Sequence, residues 1–263
     1  MAKDPTGATP IPLSPPLTPA VDPAQLRPAP GSGIPDDYLV SVVMPVYNEA
    51  RTIRQIVEQV NAVPLKKELI AVDDCSTDGT GDVLEDLARE GQLRLFKHRI
   101  NGGKGAAVRT GLAQVRGDIV IIQDADLEYD PAEYPLLIAP ILKGRSKAVY
   151  GSRFLGPHKA MYFWHQVGNK FLTLVTNVLF DTTLTDMETC YKVFTGDIAR
   201  RLEIKSARWG IDPEITAKIL RMGVRIYEVP ISYTGREMWE GKKISWKDGI
   251  AVVGTLLRYR FLK

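Results

Sequence analysis

The chain has 263 residues, 44% of them hydrophobic and 25% charged, with a formal net charge of +3. That balance suits one large globular domain or two small ones and argues against a nucleic-acid binder held by a strongly basic face. Two widely separated cysteines, Cys75 and Cys190, give neither a disulfide framework nor zinc spacing, so a reducing, cytoplasmic setting is the default expectation. No stretch reaches the ~18 uninterrupted apolar residues of a membrane span, and the N-terminus lacks the apolar core of a signal peptide.

Residues 1–36 hold ten of the eighteen prolines and read as a disordered, polyproline-like tail. Order is expected from Tyr38. Leu39–Met44 is β-rich and precedes Pro45, which marks a first strand. Ile53, Ile56, Val57 and Val60 recur at i, i+3, i+4 and i+7, the pattern of an amphipathic helix. Leu69–Val72 is a second strand ending in Asp73-Asp74, and Ser76–Thr80 is a turn with helix-starting chemistry. A helix through Val83, Leu84 and Leu87 leads to a short strand at Leu93–Phe96. The glycine-rich turn Asn101–Gly105 opens a helix with Val108, Leu112 and Val115 on one face, ended by Gly117. Ile119–Ile122 is a fourth strand.

Beyond it, a helix starts at Pro131 and carries Tyr134, Leu137, Ile138 and Ile141. A strand at Ala148–Tyr150 leads to Gly151-Ser152-Arg153. A long helix over Trp164–Phe180 places Phe171, Leu174, Val175 and Val178 on its apolar side. Further elements are a helix over Pro213–Met222, a strand over Arg225–Ile231 and an apolar helix over Trp246–Lys263 with a basic end. Strands alternating with helices predict a mainly parallel α/β sheet with helices on both faces.

The apolar strand Ile119–Ile122 runs into Asp124 and Asp126. In an extended segment, residues i and i+2 point to the same side. Carboxyl ends of parallel strands are where such sheets bind ligands. Two carboxylates sharing one side repel unless a cation joins them, and hard oxygen ligands favour Mg²⁺ or Mn²⁺, which keep positions for substrate phosphates. Asn48-Glu49, Asp73-Asp74 and Ser152-Arg153 fall at other strand ends, so the four clusters together describe a crevice. Lys104, in the glycine turn, is a pyrophosphate contact if a metal sits beside it.

Met44-Pro45-Val46-Tyr47-Asn48-Glu49, Val72–Thr80 (VDDCSTDGT), Asn101–Gly105 (NGGKG) and Asp124-Ala125-Asp126 occur in this order and spacing. As a set they resemble family-2 nucleotide-sugar glycosyltransferases of the GT-A fold, over roughly residues 40–245. Gln123–Glu128 (QDADLE) and Gly151-Ser152-Arg153 resemble the branch that makes polyprenyl-phosphate (dolichyl-phosphate) mannose or glucose. The resemblance implies a Rossmann-like single domain at 37–245, with a nucleotide half (37–127) and an acceptor half (128–245), followed by a C-terminal amphipathic helix (246–263). It implies that Pro45, Tyr47, Glu49 and Asp74 hold the nucleotide, with Asp74 on the base edge, and that Lys104 meets pyrophosphate. Asp124 lies by the ribose or the metal, Asp126 is the main metal ligand, and Gln123 only packs. Arg153, Arg236, Lys242 and Lys243 face phosphates of donor or acceptor. The loop around Arg236 carries more acidic and aromatic residues than that branch, and residues 164–170 are less basic.

The implied reaction is inverting, metal-dependent transfer of a hexose from GDP-mannose or UDP-glucose to polyprenyl phosphate. A phosphate monoester, with its second pKa near ~6, needs no general base. The alternative, transfer to a hydroxyl of a soluble or glycan acceptor, needs one. Asp186, Glu188, Asp212 and Glu214 are the candidates, with Asp186 the chosen site residue. More distant alternatives are a nucleotide-sugar nucleotidyltransferase, which calls for a basic triphosphate loop after the first strand, and an inactive binding module. His98 reads as a surface residue, and His165 as a contact for the acceptor or a packed aromatic neighbour. Met161–Trp164 and the C-terminal helix either pack together, join another subunit as a homo-oligomer, or lie on the inner face of a membrane carrying the lipid.

Overall fold

The strand-helix alternation is realised as a seven-stranded sheet in the computed structural model, which describes residues 22, 26–208, 210–236 and 246–262. The strands are β1 (Val40–Val46), β2 (Lys67–Asp73), β3 (Arg94–Lys97), β4 (Ile119–Ile122), β5 (Ala148–Ser152), β6 (Lys192–Thr195) and β7 (Tyr227–Pro230). Their order is β3-β2-β1-β4-β6-β5-β7. All pairings are parallel except those of β6, which runs antiparallel to both β4 and β5. Every residue of β1, β4, β5 and β6 is buried, so this part of the sheet is covered on both faces. That is why its apolar runs are continuous rather than alternating.

The eight α-helices of the described residues are α1 (Ile53–Ala62), α2 (Thr80–Arg89), α3 (Lys104–Leu112), α4 (Tyr134–Leu142), α5 (Phe163–Phe180), α6 (Gly196–Arg201), α7 (Ile211–Arg221) and α8 (Trp246–Phe261). The four apolar positions predicted for α1 are the four it buries. The helix α3 stops at Leu112, before Val115, because its C-terminus closes in a turn in which the Gln114 N–H donates to the Gly111 carbonyl at 2.9 Å. Gly111 lets α3 lie directly on the sheet: a Cβ there would come within 2.4 Å of Val43 Cγ1.

Three differences from the sequence reading have physical causes. The strand β6 has no predicted counterpart, because its four residues begin with a lysine that interrupts any apolar run; Lys192 is fully buried, paired with Asp212. The N-terminal segment starts packing before residue 36. Leu26 joins the core, and the Ala29 N–H donates to the Leu142 carbonyl at 2.7 Å. On α5 the expected core face is only partly inward. Val175, with Leu172 and Leu179, packs on Met187 and on Val252 and Leu256 of α8. Phe171, Leu174 and Val178 are exposed, as are Phe163 and Trp164. Among the described residues no helix is long and apolar enough to cross a membrane.

Candidate active site

The sheet register brings the carboxyl ends of β1, β2 and β4 to one edge. Val46 stands opposite Asp73, and Val43 opposite Ile122. The chain turns abruptly at this edge. Asn48 and Cys75, neither of them glycine, hold φ of 56° and 65°, a left-handed backbone that concentrates at functional loops. Asn48 is fixed there by accepting from the Thr77 N–H at 2.8 Å and donating its own N–H to Ser76 Oγ at 3.0 Å.

Asp74 is buried at the end of β2 and shapes the glycine turn. Its Oδ1 accepts from the Gly102 N–H at 2.9 Å and its Oδ2 from the Gly103 N–H at 2.6 Å. His98 Nδ1 lies 2.6 Å from Oδ1, and His98 Nε2 lies 2.9 Å from Thr110 Oγ1. The base-edge role expected of Asp74 therefore falls on a carboxylate whose two oxygens both face this scaffold. His98 is not the surface residue the sequence suggests. It follows β3, whose pairing with β2 delivers it against Asp74. Gly103 has a φ of +86°, and a Cβ there would sit 2.6 Å from the Ala207 carbonyl oxygen, so no other residue fits the turn without displacing residues 207–208.

The turn delivers Lys104 to the opening pair. Its Nζ lies 2.7 Å from Asp124 Oδ1 and 2.9 Å from Oδ2, with Cys190 Sγ at 3.7 Å. Burial alone would lower the Lys104 ammonium, but Asp124, with Cys190 and Asp212 behind it, outweighs that and raises the group well above the usual lysine range. Asp124 is correspondingly held low despite its burial, by the Lys104 charge. Asp126 goes the other way. Burial first, then the charges of Asp124 and Glu128, push its carboxyl up to about 7, against the pull of Arg236. The two members of the pair therefore differ: Asp124 is held ionised by Lys104, while Asp126, beside Asp124 and Glu128, ionises only against an excess of negative charge.

Arg236 stands beside that excess. Its Nη2 lies 2.8 Å from Glu49 Oε1 and 3.3 Å from Asp126 Oδ2. The Arg236 N–H donates to Glu128 Oε1 at 2.8 Å, and Tyr233 Oη donates to Glu128 Oε2 at 2.9 Å. Glu128 thus ties the segment after β7 to the turn after β4. A guanidinium bridging Glu49 and Asp126 is the kind of cation this edge attracts. No three His, Cys, Asp or Glu side chains among the described residues form a closed metal cage. The donor set fits an open Mg²⁺ or Mn²⁺ site, in which one or two carboxylates leave positions for substrate oxygens.

Of the other expected site residues, Pro45 is buried inside β1, Tyr47 is exposed at its end, and Gln123 packs as predicted. Gln123 Oε1 accepts from the hydroxyls of Tyr134 and Tyr191 at 2.7 and 2.9 Å. Arg153 is buried and locked onto Asp186, with Nε to Oδ2 at 2.7 Å and Nη2 to Oδ1 at 2.8 Å. Its backbone N–H adds a third contact to Asp186 at 3.1 Å. The Arg153 guanidinium also lies 5.3 Å from the Tyr233 ring centre, which connects it through Glu128 to the metal-side turn. Lys192 and Asp212 form a second buried pair at 2.6 Å. Lys242 and Lys243 lie outside the described residues.

Chemically, the edge offers a carboxylate pair with one surplus charge, a lysine and an arginine beside it, and a glycine turn with an aspartate beneath. Residues missed from the sequence are His98, Glu128, Tyr233 and Lys192. Only Glu128 had a local signal, two residues after Asp126.

The glycosyl transferase family 2 model matches residues 41–202. The chain is 30% identical, over 82% of its length and 92% of the relative's, to an undecaprenyl-phosphate mannosyltransferase of Micrococcus luteus. It is 27% identical to a UDP-N-acetylglucosamine–dolichyl-phosphate N-acetylglucosaminyltransferase of Methanococcus voltae, over 86% of this chain and 96% of that one. Among solved structures it resembles glucosyl-3-phosphoglycerate synthase of Mycobacterium tuberculosis in complex with Mn²⁺, uridine diphosphate and glucosyl-3-phosphoglycerate. The TM-score is 0.66 and the identity 22%, covering 86% of this chain and 81% of that one, which is a likeness of fold.

Proposed function

The chain belongs to glycosyl transferase family 2, and on that premise we propose that it moves a hexose from a nucleotide sugar to polyprenyl phosphate, with inversion and with Mg²⁺ or Mn²⁺. The observation that carries the reading is the divided carboxylate pair. Lys104 satisfies Asp124, and Asp126 is left with charge that burial and two neighbouring carboxylates make costly. A cation shared with a diphosphate relieves that cost.

In this reading Asp126 holds the cation and Asp124, fixed by Lys104, supports it or the ribose. A cation held there would supply neutralisation of the charge developing on the departing nucleoside diphosphate. Arg236 moves from Asp126 onto phosphate oxygens, staying tethered through Glu128. Asp74 keeps the glycine turn in the shape that admits the nucleotide. GDP-mannose and UDP-glucose both remain donors on this reading.

A phosphate acceptor is supported by the undecaprenyl- and dolichyl-phosphate glycosyltransferases among the relatives and by the engagement of three of the four candidate bases. Asp186 is bound to Arg153, Asp212 to Lys192, and Glu214 to two backbone N–H groups, Lys218 and Tyr259. A phosphate that is already ionised needs none of them. Contact with a membrane surface belongs to the same reading. Trp164, Phe171 and Val178 repeat every seven residues along α5 and are 78%, 56% and 75% exposed, a stripe suited to an interface that carries the lipid. Phe171→Ser with Leu174→Ser should weaken co-sedimentation with liposomes; unchanged co-sedimentation would remove this element.

A thermal-shift series tests the donor and metal together. With Mn²⁺, either UDP or GDP at about 100 times its Kd should stabilise the fold by about 2.7 kcal/mol. Absence of any shift with every nucleotide would contradict the reading.

A further inference from the structure

The second half supplies four candidate carboxylates, Asp186, Glu188, Asp212 and Glu214, and three are bound to partners. Asp186 is chelated by Arg153, Asp212 pairs with Lys192, and Glu214 accepts from the Lys205 and Ser206 N–H groups. Glu188 differs. Its Oε1 is buried with no hydrogen-bond partner, and the next residue's hydroxyl, Thr189 Oγ1, is in the same condition. The cations acting on Glu188 are Lys192 and Arg153. Both are engaged elsewhere, Lys192 by Asp212 and the Thr189 carbonyl, Arg153 by Asp186.

A buried acceptor without a hydrogen bond is costly and calls for a partner. An anion is the wrong one, because Asp212 and Asp186 already repel negative charge at this position. A hydroxyl is the right one: burial first, then the Asp212 charge, push the Glu188 carboxyl up to about 8, and a hydroxyl either donates to such an acid or accepts from it. The location agrees. Cys190, next in sequence, has its Sγ 3.7 Å from Lys104 Nζ, which bonds Asp124. Cys190 therefore lies beside the carboxylate pair, with Glu188 two residues before it.

Building on the proposed transfer reaction, we propose that Glu188 receives a hydroxyl of the hexose being transferred and sets which hexose is accepted. Glu188 is then a specificity residue rather than a general base.

The experiment compares transfer from UDP-glucose and GDP-mannose with transfer from their 2-, 3-, 4- and 6-monodeoxy derivatives. Wild type, Glu188→Gln and Glu188→Ala are each assayed by kcat/KM. Wild type should discriminate against one deoxy derivative of its donor by about ten- to hundredfold, the range for leaving a buried polar group without its partner. Glu188→Ala should lose that discrimination, with the ratio for this derivative approaching one while the ratios for the other derivatives stay put. Glu188→Gln, which still accepts through its amide oxygen, should keep part of it. Ratios unchanged in both variants overturn the inference, and so does an equal loss toward every donor. Nucleoside diphosphate binding with Mn²⁺ reports separately on folding and on the parent reading. A wild-type protein that transfers from no nucleotide sugar defeats that reading instead.

Discussion

Replacing Asp126 with Asn should leave a folded protein and reduce transfer by about a thousandfold or more, measured as kcat/KM at saturating Mn²⁺. The expected loss is about 4 kcal/mol of transition-state stabilisation, the scale of a Lewis acid neutralising a leaving diphosphate. The fold should not suffer, because the neutral amide removes repulsion from Asp124 and Glu128. Unfolding in EDTA should show the variant at least as stable as wild type. Asp124→Asn should behave differently. It removes the partner of a buried lysine, so its loss of activity should come with a loss of stability. Equal activity in wild type and Asp126→Asn would remove the cation from the account.

The second large effect concerns the Arg153–Asp186 pair. Both side chains are buried, and the guanidinium grips both carboxylate oxygens. Removing either partner alone strands a charge, so Arg153→Met and Asp186→Leu should each cost about 3–5 kcal/mol. The double variant Arg153→Met/Asp186→Leu should recover most of that stability, since an apolar pair of similar volume carries no desolvation cost. Denaturant titrations of the three variants decide it. If the double variant is stable yet inactive, the pair also serves the reaction, as the resemblance to lipid-phosphate sugar synthases implies for Arg153. If it is stable and active, the pair is scaffold only.

These expectations rest on features of unequal visibility in the sequence. The strand ends were legible because buried parallel strands write themselves as apolar runs, and Ile119–Ile122 delivers Asp124 and Asp126 without any long-range information. The helix α1 was legible from its spacing alone. The strand β6 was not. Its burial depends on Lys192 meeting Asp212, a partner supplied by α7, and no local pattern announces a buried lysine. His98 failed for the same reason: its partner Asp74 comes from the neighbouring strand. Asp186 was chosen as a site residue from its place in an acidic segment, but the partner that holds it, Arg153, comes from the end of β5. The apolar face of α5 was misjudged because periodicity reports a stripe without saying what covers it. Residues that act alone at a strand end were readable, and residues defined by a partner across the fold were not.

The most direct test is transfer itself. The wild-type protein is incubated with polyprenyl phosphate, Mn²⁺ and UDP-glucose or GDP-mannose labelled in the hexose, and the label is partitioned between water and butanol. The account predicts label in the butanol phase with at least one donor, in a product carrying the inverted anomeric configuration, and none when EDTA is added or when polyprenol replaces its phosphate. Label that stays in water with both donors, in a protein that binds the nucleotide, would contradict it.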